Sequence, residues 1–388
     1  TLLKYFRDNT VKQVAVLAYT GVAAMNIKGV TIHSFFGFPP RPLTRKDIKE
    51  KPEMEIYKML DTIIIDEISM VRADLLDGID LFMRKNGRDD TKPFGGAQVI
   101  FSGDLYQLPP IVTKEEYPYF ASYYRSPWFF SSKTFQKIDL ATFELTKVYR
   151  QKDLDFIKLL DSVRTKTITD HQLTLLNQRY SPSFDPKDNR SWITLTATNK
   201  VASSINLKNL SNISHPMRTY IGVVEGDFPE DRHLPTNTVL KLKKDAQVMF
   251  VKNDMTRRWV NGTIAKIHAL DEDKILVEVQ EGEQTYIYPV APVTWEILKY
   301  RIDFSGGSIA TEIVASFTQY PLKLAWAITV HKSQGLTFDK TVINLGNGAF
   351  AHGQTYVALS RNTSFNGLVL NCQRQLEKDM ASIRNAHS

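Results

Sequence analysis

A run of β-branched residues that stops abruptly at two carboxylates, residues 62–67 (TIIIDE), constrains this 388-residue chain more than any other segment. An unbroken apolar run of strand length suits a strand buried on both faces, as in a parallel sheet covered by helices. Residues 14–18 (VAVLA) and 99–102 (VIFS) have the same character, and residues 75–84 (LLDGIDLFMR) carry helical spacing between two of the runs. That alternation predicts an α/β unit. A second group, residues 192–196 (WITLT), 326–330 (WAITV), 342–345 (VINL) and 367–370 (GLVL), predicts a second parallel sheet whose strands are not contiguous in sequence. From residue 239 to about residue 284 the texture changes to hairpin-like strands: 246–251 (AQVMFV), 259–267 around Asn261-Gly262, and 274–279. Asn-Gly between apolar runs is a strong hairpin signal. The expected organisation is a first unit over residues 1–150, a second over 151–235 and 309–388, and a small β-domain over 236–308 inserted into the second. Residues 38–51 (FPPRPLTRKDIKEK), rich in proline and charge, read as a loop or a short projecting hairpin.

In open α/β sheets ligands collect beyond the carboxyl ends of the strands, and the polar residues of this chain lie at such ends. Asp66 is placed to hold Mg²⁺, an ion that prefers oxygen and keeps its waters. Glu67 is placed to orient or deprotonate a water in phosphoryl transfer. Gln107, in the turn after residues 99–102, is a neutral amide suited to sensing a phosphate beside those carboxylates. Arg150 and Arg361 stand at the end of the first unit and in the second, where two guanidinium groups from opposite sides could stabilise phosphoryl charge. Residues 329–335 (TVHKSQG) offer hydroxyl, imidazole, ammonium and amide groups after a buried strand, a set suited to phosphate and ribose. His331 has no His or Cys partner at ligand spacing, which argues against a metal role. Thr20 follows the first run, and His33 and Phe35 present faces that can stack on unpaired bases, although core packing is the plainer reading of Phe35 and Phe36.

Composition narrows the classes without choosing among them. The net charge of +7 is a modest excess that suits a polyanionic partner. No apolar run approaches the roughly 18 residues of a membrane helix, and no secretory signal opens the sequence. The single cysteine, Cys372, excludes an internal disulfide framework and a cysteine-based zinc cluster. It fits a reducing, intracellular setting, the cytoplasm of a prokaryote or the nucleus or mitochondrion of a eukaryote, and reads as a small buried apolar residue.

Taken in order, these segments resemble the motifs of superfamily-one helicases, and most closely the five-prime-to-three-prime branch of Pif and RecD-like DNA helicases. Residues 19–24 (YTGVAA) are similar to motif Ia, 63–70 (IIIDEISM) to motif II, 103–110 (GDLYQLPP) to motif III, 148–151 (VYRQ) to motif IV, 329–337 (TVHKSQGLT) to motif V and 356–361 (YVALSR) to motif VI. Residues 80–96, ending KPFGG, resemble the signature of the Pif branch. The resemblance implies two RecA-like parallel-sheet lobes of the tandem P-loop NTPase type with an SH3-like β-barrel inserted in the second. It implies an ATP-dependent helicase that uses ATP and Mg²⁺ and moves on single-stranded DNA, unwinding duplex or fork DNA as a monomer; RNA stays open as a substrate. Asp66 and Glu67 then take the Mg²⁺ and water-activating roles, Gln107 the phosphate-sensor role, and Arg150 and Arg361 the arginine-finger roles. Gln334 and Gly335 join Asp66 and Gln107 around the nucleotide. Thr20, His33, Phe35, Thr198, Asn199, His331 and Lys332 become candidate DNA contacts, and residues 38–52 the wedge at a duplex junction.

One departure stands out. The family's phosphate loop ends Gly-Lys-Ser/Thr, and this sequence holds no Gly-Lys dipeptide. The expectation is a fragment that opens just past that loop and by itself binds ATP poorly; the alternative is a catalytically inactive nucleic-acid-binding remnant. A non-motor P-loop ATPase would not need the cluster at residues 329–335, and a passive single-strand binder would not need Asp66, Glu67 and two arginines.

Overall fold

The structure, a computed structural model, describes residues 2–51, 54–186, 191–226, 234–303, 308–346 and 353–371. Cys372 and Pro52, which figured in the sequence reading, lie outside the described residues.

The first parallel sheet contains β1 (Val14–Ala18), β2 (Val30–Thr31), β3 (Thr62–Asp66) and β4 (Gln98–Phe101), in the order β2-β1-β3-β4. Registers of Val14 with Thr62 and of Ala18 with Asp66 bring the ends of β1 and β3 level, and Ile65 pairs with Phe101 on β4. Ile63 and Ile65 are fully buried, as an unbroken apolar strand requires when both faces are covered. The helix Ala73–Asn86 covers one face through Leu75, Leu76, Ile79, Phe82 and Met83.

The second parallel sheet opens with β5 (Ile193–Thr196) and is then interrupted. The interruption comprises β6 (Met217–Ile221), β7 (Val223–Gly226), β8 (Val239–Lys243), β9 (Gln247–Phe250), β10 (Ile264–Leu270), β11 (Ile275–Glu281), β12 (Gln284–Val290), β13 (Val293–Asp303), β14 (Ser308–Gln319) and β15 (Leu322–Leu324). The sheet resumes with β16 (Ala327–Thr329), β17 (Thr341–Asn344) and β18 (Leu368–Leu370), in the order β16-β5-β17-β18, all parallel. All four runs of the second group in the sequence therefore lie in one sheet.

The interrupting strands are antiparallel throughout. They form a five-stranded sheet β12-β11-β10-β9-β15, a three-stranded sheet β13-β14-β7 and the pair β6-β8. They extend on both sides of the expected 236–308 span, because β6 and β7 pair back from one side while β14 and β15 continue on the other. A core of their own, including Leu242, Val248, Phe250, Ile267 and Val277, supports them. Asn261 and Gly262 lie in the connection between β9 and β10, with Gly262 in the left-handed region (φ +99).

Residues 38–51 do not project. The segment has one 3₁₀ turn, Arg45–Asp47, and buries Phe38, Leu43 and Ile48. The amide of Leu43 donates to Asp74 Oδ2 at 2.7 Å and that of Lys51 to Asn86 Oδ1 at 2.6 Å. Apolar residues at every fifth position, Phe38, Leu43 and Ile48, together with these two hydrogen bonds pin it to the helix. By contrast, Phe143 and Leu145 are 88% and 95% exposed, in a stretch without regular structure that joins the two units.

Phe35 also departs from its expected role. It is buried and meets the rings of Phe36, Tyr57 and Tyr300 edge-on at 4.9, 5.5 and 5.5 Å. No face is left for a base, so it is a core residue. Phe36, 1% exposed, packs on Phe38 at 5.3 Å and Phe82 at 5.2 Å. Truncation of such a side chain removes both transfer energy and packing. Phe36→Ala is expected to destabilise the first unit by about 3–5 kcal/mol, read as a lower urea midpoint at unchanged m-value.

Candidate nucleotide and nucleic-acid site

The carboxyl ends of β3 and β4 carry the acidic side of the site. The Ile68 amide donates to the Ser102 carbonyl at 2.9 Å and the Ser102 amide to the Ile65 carbonyl at 2.9 Å, so the two strand exits leave side by side. Glu67 has left-handed backbone (φ 53, ψ 47), a conformation that costs a non-glycine residue energy and collects at functional sites. Burial, then the charges of Asp66 and Asp104, raise the pKa of the Glu67 carboxyl, and Arg361 opposes that rise. Asp104 organises the next turn: it accepts from the Tyr106 amide at 3.0 Å and from Gln107 Nε2 at 3.1 Å.

The second unit closes over this turn. Leu108, fully buried, belongs to the same core as Phe156, Leu195, Ile328 and Val357 of the second unit. Gly353, at the start of the helix Gln354–Ser360, lies so close that a Cβ there would stand 2.4 Å from the Gln107 carbonyl oxygen and 2.5 Å from that of Tyr106. Its φ of +73 is a second reason for glycine. Gln334 Nε2 approaches Gln107 Oε1 at 3.4 Å. Gly335 is left-handed (φ +74), and nothing lies within 4 Å of the place a Cβ would occupy. Asp66, Glu67, Gln107, Gln334 and Arg361 thus face one crevice.

Arg361 is 2% exposed. Its hydrogen bonds run to neutral atoms: the carbonyls of Val357 (3.0 Å), Ser333 (3.4 Å) and Leu336 (3.5 Å), and Ser360 Oγ (2.9 Å). Burial and then the neighbouring Arg150 lower its pKa to about 10, against the attraction of Glu67 and Asp104. Arg150 donates to Thr337 Oγ1 at 2.9 Å and to the Ser360 carbonyl at 3.2 Å, and Gln151 Nε2 to the carbonyls of Ser360 and Asn362. Arg150 is therefore built into the second unit. The expectation of arginines from opposite sides is corrected: both stand on one side, and Arg361 faces Glu67 and Asp104 of the other.

The candidate DNA contacts divide between the two sheets. Thr20 caps the helix Gly21–Asn26, its Oγ1 accepting from the Ala23 amide at 3.2 Å. Thr198 caps the helix Asn199–Asn212 in the same way, leaving Asn199 exposed. The Val330 amide donates to the Thr196 carbonyl at 2.9 Å, which sets Thr198 and Asn199 beside His331 and exposed Lys332 at the ends of β5 and β16. His33 meets the Tyr19 ring edge-on at 5.8 Å. Burial, and then Arg72, lower its pKa to about 4, so near neutral pH it is an uncharged imidazole.

A family model described as PIF1-like helicase matches residues 1–174. The ATP-dependent DNA helicase Pif1 of Campylobacter jejuni is 30% identical over 396 residues, which cover 95% of this chain and 84% of that protein. The chain belongs to the PIF1-like helicase family. The ATP-dependent DNA helicase PIF1 of Homo sapiens is 34% identical over 379 residues, 95% of this chain but 54% of the human protein, so the chain spans about half the length of that relative. The crystal structure of Pif1 from Bacteroides sp. in complex with ADP-AlF4 superposes with a TM-score of 0.88 at 35% identity, covering 99% of this chain and 89% of that one. Bacteroides Pif1 bound to ssDNA superposes at 0.65 and 36% identity, covering 97% and 86%. The parallel-sheet lobes expected from the sequence are those of the Pif1 fold.

Asp104, Tyr356 and Arg164 were not singled out from the sequence. Tyr356 has its phenol pKa raised by burial and then by Asp104, and is flanked by Arg164, Arg361 and Arg150. It sits within motif VI, where its charge surroundings could not be read from spacing. Arg164, in the helix Leu154–Arg164, carries no motif signal at all.

His33 supplies a pH test. The unfolded chain takes up a proton near pH 6.5 and the folded chain only at about 4. Stability therefore falls as pH drops from 6.5 towards 4 and is indifferent to this group above 6.5. His33→Gln is expected to lessen that fall, measured as the melting-temperature difference from wild type at pH 5 and pH 7.5.

Proposed function

We propose that the chain works as the engine of an ATP-dependent DNA helicase that moves five-prime to three-prime on single-stranded DNA. The observation that carries this reading is the crevice in which buried Arg361, with Arg150 beside it, faces Asp104 and the Glu67 that neighbours Asp66 across the two sheets. A buried guanidinium bonded only to neutral atoms is costly, and so is a half-buried carboxylate beside two others. A nucleoside triphosphate with its cation answers both: phosphate oxygens for the arginines, Mg²⁺ for the carboxylates. Among the described residues no group of three or more His, Cys, Asp or Glu is placed to hold a metal alone. Asp66 would hold Mg²⁺ here, an ion that prefers oxygen ligands and keeps much of its water.

In this reading Glu67, its pKa raised by burial, accepts a proton from the attacking water. Gln107 orients that water through its amide, and Arg150 and Arg361 stabilise phosphoryl charge from the second unit. Bound triphosphate supplies the reactive phosphoryl group and the anion that draws the units together. Thr20 and His33 on the first unit and Thr198, Asn199, His331 and Lys332 on the second hold the sugar-phosphate backbone. Opening and closing the crevice alternates their grips, and Gln334 and Gly335 link the second grip to the nucleotide. Strand separation costs about 1–2 kcal/mol per base pair, within the reach of one turnover per step. The relatives' names and the ADP-AlF4 and ssDNA complexes of the Bacteroides protein support the reading. The inserted antiparallel strands are proposed to be the family's SH3-like domain, and a monomer suffices.

ATP turnover is expected to rise on addition of single-stranded DNA. Glu67→Gln should lower that turnover by about 10²-fold or more while single-strand affinity, read by fluorescence anisotropy, stays within twofold. Equal turnover with and without DNA would sink the motor reading. A partial duplex with a five-prime tail should be unwound and one with a three-prime tail should not; the opposite result would overturn the polarity.

A further inference from the structure

We propose that Arg164 is a positioning residue for Gln107, acting through the ring of Tyr106; its catalytic consequence rests on the function proposed above. The turn that carries Gln107 has no regular secondary structure. On its own side, among the described residues, its hydrogen bonds run to Asp104: from the Tyr106 amide (3.0 Å to Oδ1), the Gln107 amide (3.2 Å to the carbonyl) and Gln107 Nε2 (3.1 Å to Oδ2). Besides the contact of Gln334 Nε2 with Gln107 Oε1 at 3.4 Å, three attachments fix it to the second unit. Leu108 is buried in that unit's core, Gly353 presses on the carbonyls of Tyr106 and Gln107, and the Arg164 guanidinium carbon stands 4.9 Å from the centre of the Tyr106 ring.

The first two are packing against a core and a wall. The third is a directed interaction on a half-exposed ring, and it is built for the purpose. Arg164 sits at the last position of its helix and is aimed by Asp161, one turn earlier, through bonds of 3.0 Å from Nε and 2.7 Å from Nη2. A planar guanidinium over a phenol ring is attracted by the ring's quadrupole and resists sliding. Arg164 is also attracted to the Asp104 carboxylate that holds the Gln107 amide. It thus acts on both ends of the turn, on the ring and on the acid that tethers the sensor. Gln107 accepts from Gln334 and donates to Asp104 at once, so a small shift of the turn changes which partner its amide keeps. No motif of the sequence contains Arg164, and it touches no reacting group.

Arg164→Ala, Arg164→Lys, Tyr106→Phe and Tyr106→Ala separate the cases. In the protein without nucleotide, hydrogen exchange of the Tyr106 and Gln107 amides should quicken in Arg164→Ala and Tyr106→Ala and stay at the wild-type rate in Tyr106→Phe. Unchanged exchange in Arg164→Ala overturns the proposal whatever the protein's activity. With single-stranded DNA present, Arg164→Ala should lower kcat about tenfold, the scale of a modest misplacement, with KM for ATP and DNA affinity within twofold. Arg164→Lys should recover part of the loss. Arg164→Ala combined with Tyr106→Ala should be no slower than either alone, since both remove one interaction. Losses that multiply, or a DNA affinity that falls as far as kcat, overturn it. A wild type whose turnover ignores DNA refutes the helicase reading and leaves the exchange result to judge the anchor.

Discussion

The structure turns on a charge that has been buried without a counter-charge in contact. Arg361 spends its donors on three carbonyls and a hydroxyl, with Arg150 repelling it from its own side. Across the crevice Glu67 is pushed the other way, towards protonation, by burial and by Asp66 and Asp104. Each side is in part the other's compensation, at a separation too long for a salt bridge. A protein that needed only stability would replace such an arrangement with apolar side chains, which is often neutral or favourable. Unpaired opposite charges held apart in a low-dielectric cleft are instead what a bound anion with a cation would complete.

Holding those charges at a fixed distance requires that the two sheets meet rigidly somewhere, and they meet at backbone. Gly353 lies against the carbonyls of Tyr106 and Gln107, where no side chain fits. Leu108 crosses into the second unit's core. The turn after β4 is therefore covalently part of the first unit and energetically part of the second. Any movement of one unit against the other must either carry this turn with the second unit or tear Leu108 from its core, a loss on the order of 2–5 kcal/mol. The first course displaces Gln107 relative to Asp66 and Glu67. Closure of the crevice and placement of the amide are consequently one event.

Much of this was legible in the sequence, for reasons that differ by residue. Both parallel sheets were legible because unbroken apolar runs such as 63–65 have few places to go except a strand covered on both faces. Asp66, Glu67 and Gln107 were legible because polarity that begins where such a strand ends lies at the sheet's carboxyl edge whatever the rest of the fold does. Arg150 was misplaced because the side of a domain boundary on which a residue falls depends on long-range hydrogen bonds, here to Ser360 and Thr337, and nothing local encodes them. Phe35 could not be separated from Phe36 by spacing alone; the arrival of Tyr300 from β13 decides the matter. Residues 38–51 were read by their prolines, while Phe38, Leu43 and Ile48 decided where they went. Arg164 was invisible because its partner ring lies 58 positions away in sequence and belongs to the other unit.

The inserted strands raise the question of how a sheet tolerates so long an interruption between β5 and β16. Part of the answer is a core inside the insertion, where Phe250, Ile267 and Val277 bury one another. The rest is shared packing: Met249, Val251, Trp295 and Phe317 join Leu195 and Ile328 in the core of the parallel sheet, and β15 returns the chain beside β9 to the point where β16 pairs with β5. Its attachment to the first unit has a different chemistry. The Val16 amide donates to the Tyr300 hydroxyl at 2.9 Å, and the Ile309 amide to Gln13 Oε1 at 2.8 Å. Leu298, Ile302 and Ile309 lie against the first unit's core only partly buried. Tyr300 also meets the Phe35 ring edge-on at 5.5 Å. This contact therefore combines two hydrogen bonds, each worth about 0.5–1.5 kcal/mol net, with apolar packing. The first unit is held at two places, the turn after β4 and the β13–β14 pair, and any movement of the units must act on both.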